Sequence, residues 1–122
     1  MRKIHISQLV SPCVTRARGE EASNRLDSHI GTDRIAIEFD GVEMVSLSFL
    51  DGFVAGLVKS HRQEKVIFVT NPQIEEKLAR ISGIRNATLY CCLDGGIIQR
   101  IVPKSYRAED AVFVPSKEAV RR

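Results

Sequence analysis

The sequence predicts an α/β (α+β) fold: a small, mostly parallel or mixed β-sheet flanked by about three helices, with a C-terminal β-hairpin. Three observations predict this fold. Strand-like and amphipathic helical patterns alternate through the middle of the chain, as they do in right-handed strand–helix–strand units. Two apolar runs flank Asp94-Gly95-Gly96, which is typical of a hairpin turn. The 122 residues are 43% hydrophobic with a net charge of +3, which suits one globular domain.

We therefore expect a single domain over residues 1–122, with a core of about 1–93 and a hairpin and tail over about 94–122. No internal repeat or linker-like stretch divides the chain.

The first half of the chain predicts a strand, a helix and a second strand. Alternation around Ile4 predicts the short opening strand. Within residues 17–30, Ala22, Leu26 and Ile30 recur at intervals of four positions, which predicts a helix. Residues 34–39 alternate again, and the Asp40-Gly41 pair that follows them predicts a turn.

The middle of the chain, from about residue 50 to residue 83, predicts two helices with a strand between them. Leu50, Phe53, Val54 and Leu57 form the apolar stripe of an amphipathic helix that runs to about Ser60. Residues 65–70 are nearly continuous apolar and β-branched, as in a strand covered on both faces. Asn71-Pro72 then begins a helix, in which Asn71 is the cap and Gly83 is the expected end.

The C-terminal region predicts further strands. Residues 87–93 and 97–102 form the two arms of the hairpin. Residues 111–114 (Ala-Val-Phe-Val) predict one more short strand, which Pro115 ends.

Composition excludes several classes of protein. The sequence contains no run of 18 apolar residues, which a membrane-spanning helix would need, and no apolar leader follows Met1. We therefore expect a cytoplasmic protein. Cys13, Cys91 and Cys92 lack C-x-x-C spacing, which favours reduced thiols. The three histidines are scattered singly, so we expect no metal and no cofactor.

Charge gives a weak argument for a nucleic-acid partner. The first 62 residues carry eight basic and eight acidic side chains, and the remainder carry ten and seven. This excess falls far short of a basic stripe, so nucleic acid is disfavoured. The alternative hypothesis of a nucleic-acid-binding accessory protein would use five basic residues of the second half: Arg100, Lys104, Arg107, Arg121 and Arg122.

No catalytic motif is present in the sequence. Ser48 sits at a predicted strand-to-helix turn, but its neighbours do not match the G-x-S-x-G pattern of a hydrolase. Phosphate-cradling glycine motifs are also absent. We therefore expect a protein that is not an enzyme.

The turn before the second helix has two interpretations. Ser48 and Asp51 match the spacing of a capping box, in which Ser48 would cap the helix and Asp51 would bond back to the cap. Alternatively, a serine hydroxyl at a helix N-terminus is exposed and well placed for phosphorylation, because free N–H groups and the helix dipole favour a dianion there.

Residues 34–51 resemble the STAS-like family of bacterial domains of unknown function. The resemblance depends on Phe39-Asp40-Gly41-Val42 followed by Ser48-Phe49, and it extends more loosely from about residue 10 to residue 85. That family is in turn similar to the STAS domains of anti-anti-sigma factors. In those proteins, an ATPase-type kinase phosphorylates a serine at the corresponding helix N-terminus, and the phosphate controls partner binding.

The resemblance implies a non-enzymatic regulatory domain of a bacterial signalling pathway. Its protein partner would be an ATPase-type kinase or an anti-sigma-like protein. Ser48 would be the phosphoacceptor, and Ser46, Phe49 and Asp51 would help to bind the partner. A small-ligand pocket near the helix N-termini is a further alternative, and a homodimer through the hairpin edge also stays open.

Overall fold

The structure is a computed structural model that describes residues 2–29, 33–93 and 96–103. Within these ranges, five strands form one sheet in the order β1-β2-β3-β4-β5. The strands are β1 (Arg2–His5), β2 (Ile35–Glu38), β3 (Val66–Thr70), β4 (Leu89–Leu93) and β5 (Gln99–Ile101). The first four are parallel and β5 is antiparallel to β4.

Three helices connect the parallel strands: α1 (Arg16–Leu26), α2 (Leu47–Lys59) and α3 (Pro72–Arg85). Short 3-10 helices follow β1 (Ile6–Gln8) and precede β3 (Gln63–Lys65). The mixed sheet, the three helices and the C-terminal antiparallel pair confirm the predicted fold class.

The three helices pack on one face of the sheet. Each crossover moves one strand further in the same direction, and right-handed crossovers of that kind place every helix on the same side. Burial shows the same arrangement, because alternate strand residues join the helices in one apolar core. On the sheet side, this core contains Ile4, Ile35, Ile37, Val66, Phe68, Leu89 and Cys91.

Aromatic side chains fill the centre of this core. The ring of Phe53 on α2 meets Phe68 on β3 edge-on, with centroids 5.6 Å apart, and Phe49 lies 6.2 Å from Phe53. All three are fully buried. Helix α2 is therefore the central helix of the layer, and its N-terminal turn is held by core packing from below.

Close contact between α1 and α2 depends on small residues. A Cβ added at Gly19 would lie 2.7 Å from the backbone N of Phe53 and closer still to the carbonyl O of Phe49. A Cβ at Gly52 would clash with the carbonyl O of Arg16. Gly52 and Gly56 on α2 therefore allow α1 to pack closely against the backbone of α2.

Several predicted boundaries are wrong. Helix α1 ends at Leu26 instead of residue 30. Helix α3 continues through Gly83 to Arg85, because Asn86 adopts the left-handed conformation (φ 53°) and its N–H bonds to the carbonyl of Ser82. Strand β5 begins at Gln99, which leaves Ile97 outside the strand and 86% exposed. The turn residues 94–95 and the predicted strand over 111–114 lie outside the described residues.

Candidate functional site

Ser46, not Ser48, caps helix α2. The Oγ of Ser46 accepts a hydrogen bond from the backbone N–H of Phe49 at 3.0 Å, and its hydroxyl donates to the carbonyl O of Val14. The predicted Ser48 cap is wrong because α2 begins at Leu47, two residues earlier than a Ser48 cap requires. An isolated parallel bridge between Cys13 and Val45 brings the chain before α1 alongside this turn, so the α1 and α2 N-termini are neighbours.

Ser48 therefore occupies the first turn of α2 as an exposed residue. Among the residues that the structure describes, no hydrogen-bond or ionic partner is found for its side chain. The hydroxyl is free to react or to contact a partner.

Asp51 does not bond back to the cap, which corrects the capping-box prediction. Its carboxylate receives two hydrogen bonds of 2.8 Å from the Nε and Nη2 of Arg85 on α3, and a further one from Arg16 on α1. The side chain is only 13% exposed. Hydrogen bonds from Arg85 lower the pKa of Asp51 to about 2, against a smaller opposing effect of burial. Asp51 thus ties three helices together.

Phe49 lies inside the core with 0% of its surface exposed. It holds the turn in place from below, so its side chain adds nothing to an exposed surface.

The turn is bordered by three residues that are not among the predicted site residues. Met44 is 61% exposed and Val14 is 37% exposed, which gives the turn an apolar border. The Nζ of Lys77 on α3 donates to the carbonyl O of Val45 at 3.0 Å and brings a cation to the residue before the cap. Lys77 and Val45 are 32 positions apart, so local sequence patterns carry no signal of this contact.

The thiols are poorly suited to nucleophilic chemistry. Burial raises the pKa of Cys13. Burial first, and then the Glu75 carboxylate, raise the pKa of Cys91 to about 11. Both thiols are therefore protonated at neutral pH, whereas a reactive cysteine needs the thiolate. All three cysteines are free and buried.

Among the residues that the structure describes, one serine–histidine contact is present, at the end of β1. The Nδ1 of His5 lies 2.8 Å from Ser7 Oγ and accepts the backbone N–H of Ser7, while Nε2 lies 2.6 Å from the carbonyl O of Asp40. Because a carbonyl only accepts, Nε2 carries the proton. The bond from the Ser7 N–H to Nδ1, together with the bond from the His5 N–H to Gln8 Oε1 at 2.9 Å, forms a capping box for the 3-10 helix that follows, which accounts for the contact.

The described part of the chain holds neither a cluster of metal-ligating side chains nor a membrane-spanning helix. There, no three His, Cys, Asp or Glu side chains converge as a metal ion would need. Likewise, no helix within residues 2–29, 33–93 and 96–103 has the length and apolarity for crossing a membrane.

Two concave regions lie near the carboxyl ends of the strands. The smaller, about 420 Å³, is bordered by Cys13, Val14 and Met44 beside the α2 turn. The larger, about 910 Å³, reaches Asn71 and continues over the sheet face that the helices leave open. Ser48 lines neither of these two regions, and the larger one reaches the N-terminus of α3 at Asn71 and Pro72.

The residues of the nucleic-acid alternative fall mostly outside the described ranges. Arg100 is exposed on β5. Lys104, Arg107, Arg121 and Arg122 lie beyond residue 103, where the described chain stops.

Comparison with known proteins supports the STAS-like resemblance over the middle of the chain. A family model described as a STAS-like domain of unknown function (DUF4325) matches residues 25–72. This segment contains β2, the Ser46–Ser48 turn, α2 and β3, and it is narrower than the expected span of about 10–85. Neither a curated protein nor a solved structure matches the chain.

Proposed function

We propose that the chain is a non-enzymatic interaction module of a bacterial signalling pathway, which docks a protein partner through the Ser46–Ser48 turn. The family match covers this turn but describes a domain of unknown function, so the partner and the pathway belong to the proposal. The observation that carries the proposal is the free, exposed Ser48 hydroxyl in the first turn of α2.

The surroundings of Ser48 suit a docking surface. Ser46 and Asp51 are engaged in internal bonds that fix the backbone of the turn, so a partner meets a preformed shape. Exposed Met44 and Val14 offer apolar contact area next to it. Adaptable methionine side chains are common at such surfaces.

Phosphorylation of Ser48 is the regulatory part of the proposal. A phosphate would add a charge of about −2 at the N-terminal end of α2, where free N–H groups and the helix dipole stabilise an anion. Lys77 supplies a cation at the same turn through its bond to Val45. An ATPase-type kinase would be the donor, and an anti-sigma-like protein would respond to the added charge.

The first experiment identifies the partner and tests its dependence on Ser48. Affinity capture followed by mass spectrometry compares wild type, Ser48→Ala and Ser48→Glu, with Ser28→Glu as the matched control. Ser28 is an exposed serine beyond the C-terminal end of α1, and its hydroxyl bonds to the carbonyl O of Arg25. We expect one protein to be lost with Ser48→Glu and kept with Ser28→Glu; equal capture by both would contradict the proposal.

The second experiment tests phosphorylation directly. Wild type and Ser48→Ala are incubated with the purified kinase-type partner and ATP, and the intact mass is measured. We expect the mass of one phosphate on wild type and none on Ser48→Ala. A phosphate on both proteins, or on neither, would remove Ser48 as the phosphoacceptor and leave only the docking proposal.

A further inference from the structure

The face of the sheet opposite the helices carries a groove that the proposed function does not involve. On each strand, every second side chain points away from the core, and these side chains form two rows across the open face. One row runs through Lys3, Ala36, Ile67, Tyr90 and Arg100, and the other through His5, Glu38, Val69 and Cys92. The concave region of about 910 Å³ lies over the second row and over the part of the first row from Lys3 to Ile67.

The floor of this groove is apolar. Ala36 and Ile67 are already buried on this face, so the apolar surface that stays uncovered in the groove belongs to Val69, Leu93 and Ile98. Residues Phe39–Val42 form one wall, and Gly96 and Ile98 belong to the other. Parallel sheets are normally covered on both faces, so an occupant is expected here.

We propose that residues 111–114 of the same chain dock in this groove. They form the apolar segment Ala-Val-Phe-Val, which matches the apolar floor in character. In a segment that is otherwise largely polar and charged, this is the longest apolar run after residue 103.

The position where the described chain stops makes this docking reachable. Ile101 pairs with Leu89, so the chain leaves the sheet at the amino end of β4. From there the groove floor lies about 10 Å along the strands and about 10 Å across them. The intervening residues 104–110 span up to about 23 Å when extended, which is sufficient.

The charges along the sheet also favour docking of residues 111–114 in the groove. The first row carries basic side chains at both ends, Lys3 and Arg100, and Arg34 stacks over the ring of Tyr90 at 4.6 Å. The acidic pair Glu109-Asp110 directly precedes the apolar segment and would meet these cations as the chain crosses the row.

Cys92 on the groove floor provides a direct test in the full-length chain. Single cysteines are introduced at positions 112 and 113 (Val112→Cys, Phe113→Cys), with Val120→Cys as the control outside the segment. After mild oxidation at low protein concentration, peptide mass spectrometry locates the disulfides. We expect an intramolecular bond from Cys92 to position 112 or 113, and none to position 120.

Two other results would overturn the proposal. Disulfides that join two chains would assign the groove to a second copy. Equal cross-linking at positions 112, 113 and 120, or none at all, would mean that the segment does not dock.

A second measurement does not depend on disulfide geometry. Phe113→Asp should raise the rate of Cys92 alkylation about tenfold, because undocking uncovers the floor, while alkylation of Cys13 and Cys91 stays unchanged. An unchanged Cys92 rate would contradict the docking. Because the groove excludes Ser46 and Ser48, either outcome leaves the proposed function untouched.

Discussion

Two serines at the start of α2 differ in what their hydroxyls do, although they are only two positions apart. Ser46 accepts from Phe49 N–H and donates to Val14, so it joins the α2 cap to the chain before α1. Ser48 is exposed and makes no such bond within the described ranges. One residue therefore stabilises the turn, and the other is available for contact.

Ser46→Ala should lower the free energy of unfolding by about 1 kcal/mol, because it removes the N-cap hydrogen bond. Ser48→Ala should change it by less than about 0.5 kcal/mol, as at an ordinary surface position. Urea denaturation of both variants measures the difference. A Ser48→Ala variant as destabilised as Ser46→Ala would contradict the assignment of the cap.

Asp51→Asn should destabilise the protein by about 1–2 kcal/mol at pH 7, because it removes a carboxylate held by Arg16 and Arg85, both partly exposed to solvent. The pKa of Asp51 is lowered from 3.8 to about 2 in the folded state. A lowered pKa stabilises the fold above the unfolded value, and this contribution is lost as the pH falls through the folded value.

The stability difference between wild type and Asp51→Asn should therefore shrink between pH 4 and pH 2, the interval set by these two values. Denaturation of both proteins across that range checks it. A difference that is absent at pH 7, or that stays constant down to pH 2, would show that the ion pairs do not stabilise the helices.

At the scale of elements, α1 and α2 pack as closely as their glycines allow. The Cβ of an alanine at position 19 would meet the backbone of Phe49 and Phe53, which cannot move aside as a flexible side chain can. Gly83 on α3 is the natural control, since nothing lies within 4 Å of its Cβ position.

Gly19→Ala should cost about 1–3 kcal/mol or more, because the two helices must separate to accept the methyl group. Gly83→Ala should instead stabilise α3 by up to about 1 kcal/mol, because alanine favours the helix. Thermal unfolding of the two variants gives the comparison. Equal effects at the two positions would contradict the close packing.

The elements themselves are mostly predictable from local patterns, and their contacts are not. Asn71-Pro72 and the apolar stripe of α2 are local signals, and both predictions are confirmed. Local sequence does not fix the cap of α2, because Ser46 and Ser48 both precede the apolar stripe at acceptable spacings. The role of Asp51 depends on Arg16 and Arg85, which lie 35 and 34 residues away in sequence.

At the scale of the whole molecule, the one-sided helix layer could not be predicted either. Ile67 and Val69 are as apolar as Val66 and Phe68 on the core side, so β3 looks alike on both faces. Only the order of the strands in the sheet shows which face the helices cover.

The charge of the whole molecule predicts no salt-dependent binding to nucleic acid. The net charge of +3 is small, and eight basic and eight acidic residues balance over the first 62 positions. Fluorescence anisotropy with duplex and single-stranded oligonucleotides at low salt should show no saturable binding. Binding that weakens steeply with added salt would revive the alternative that uses Arg100 and the basic residues after it.

The proposed function requires that the α2 turn docks a protein partner through Ser48. The most direct measurement is the Kd of the captured partner, by calorimetry, for wild type, Ser48→Glu and the control Ser28→Glu. We predict that Ser48→Glu weakens binding about tenfold or more while its unfolding free energy stays within about 0.5 kcal/mol of wild type. An unchanged Kd for Ser48→Glu, or an equal loss with Ser28→Glu, would contradict the claim.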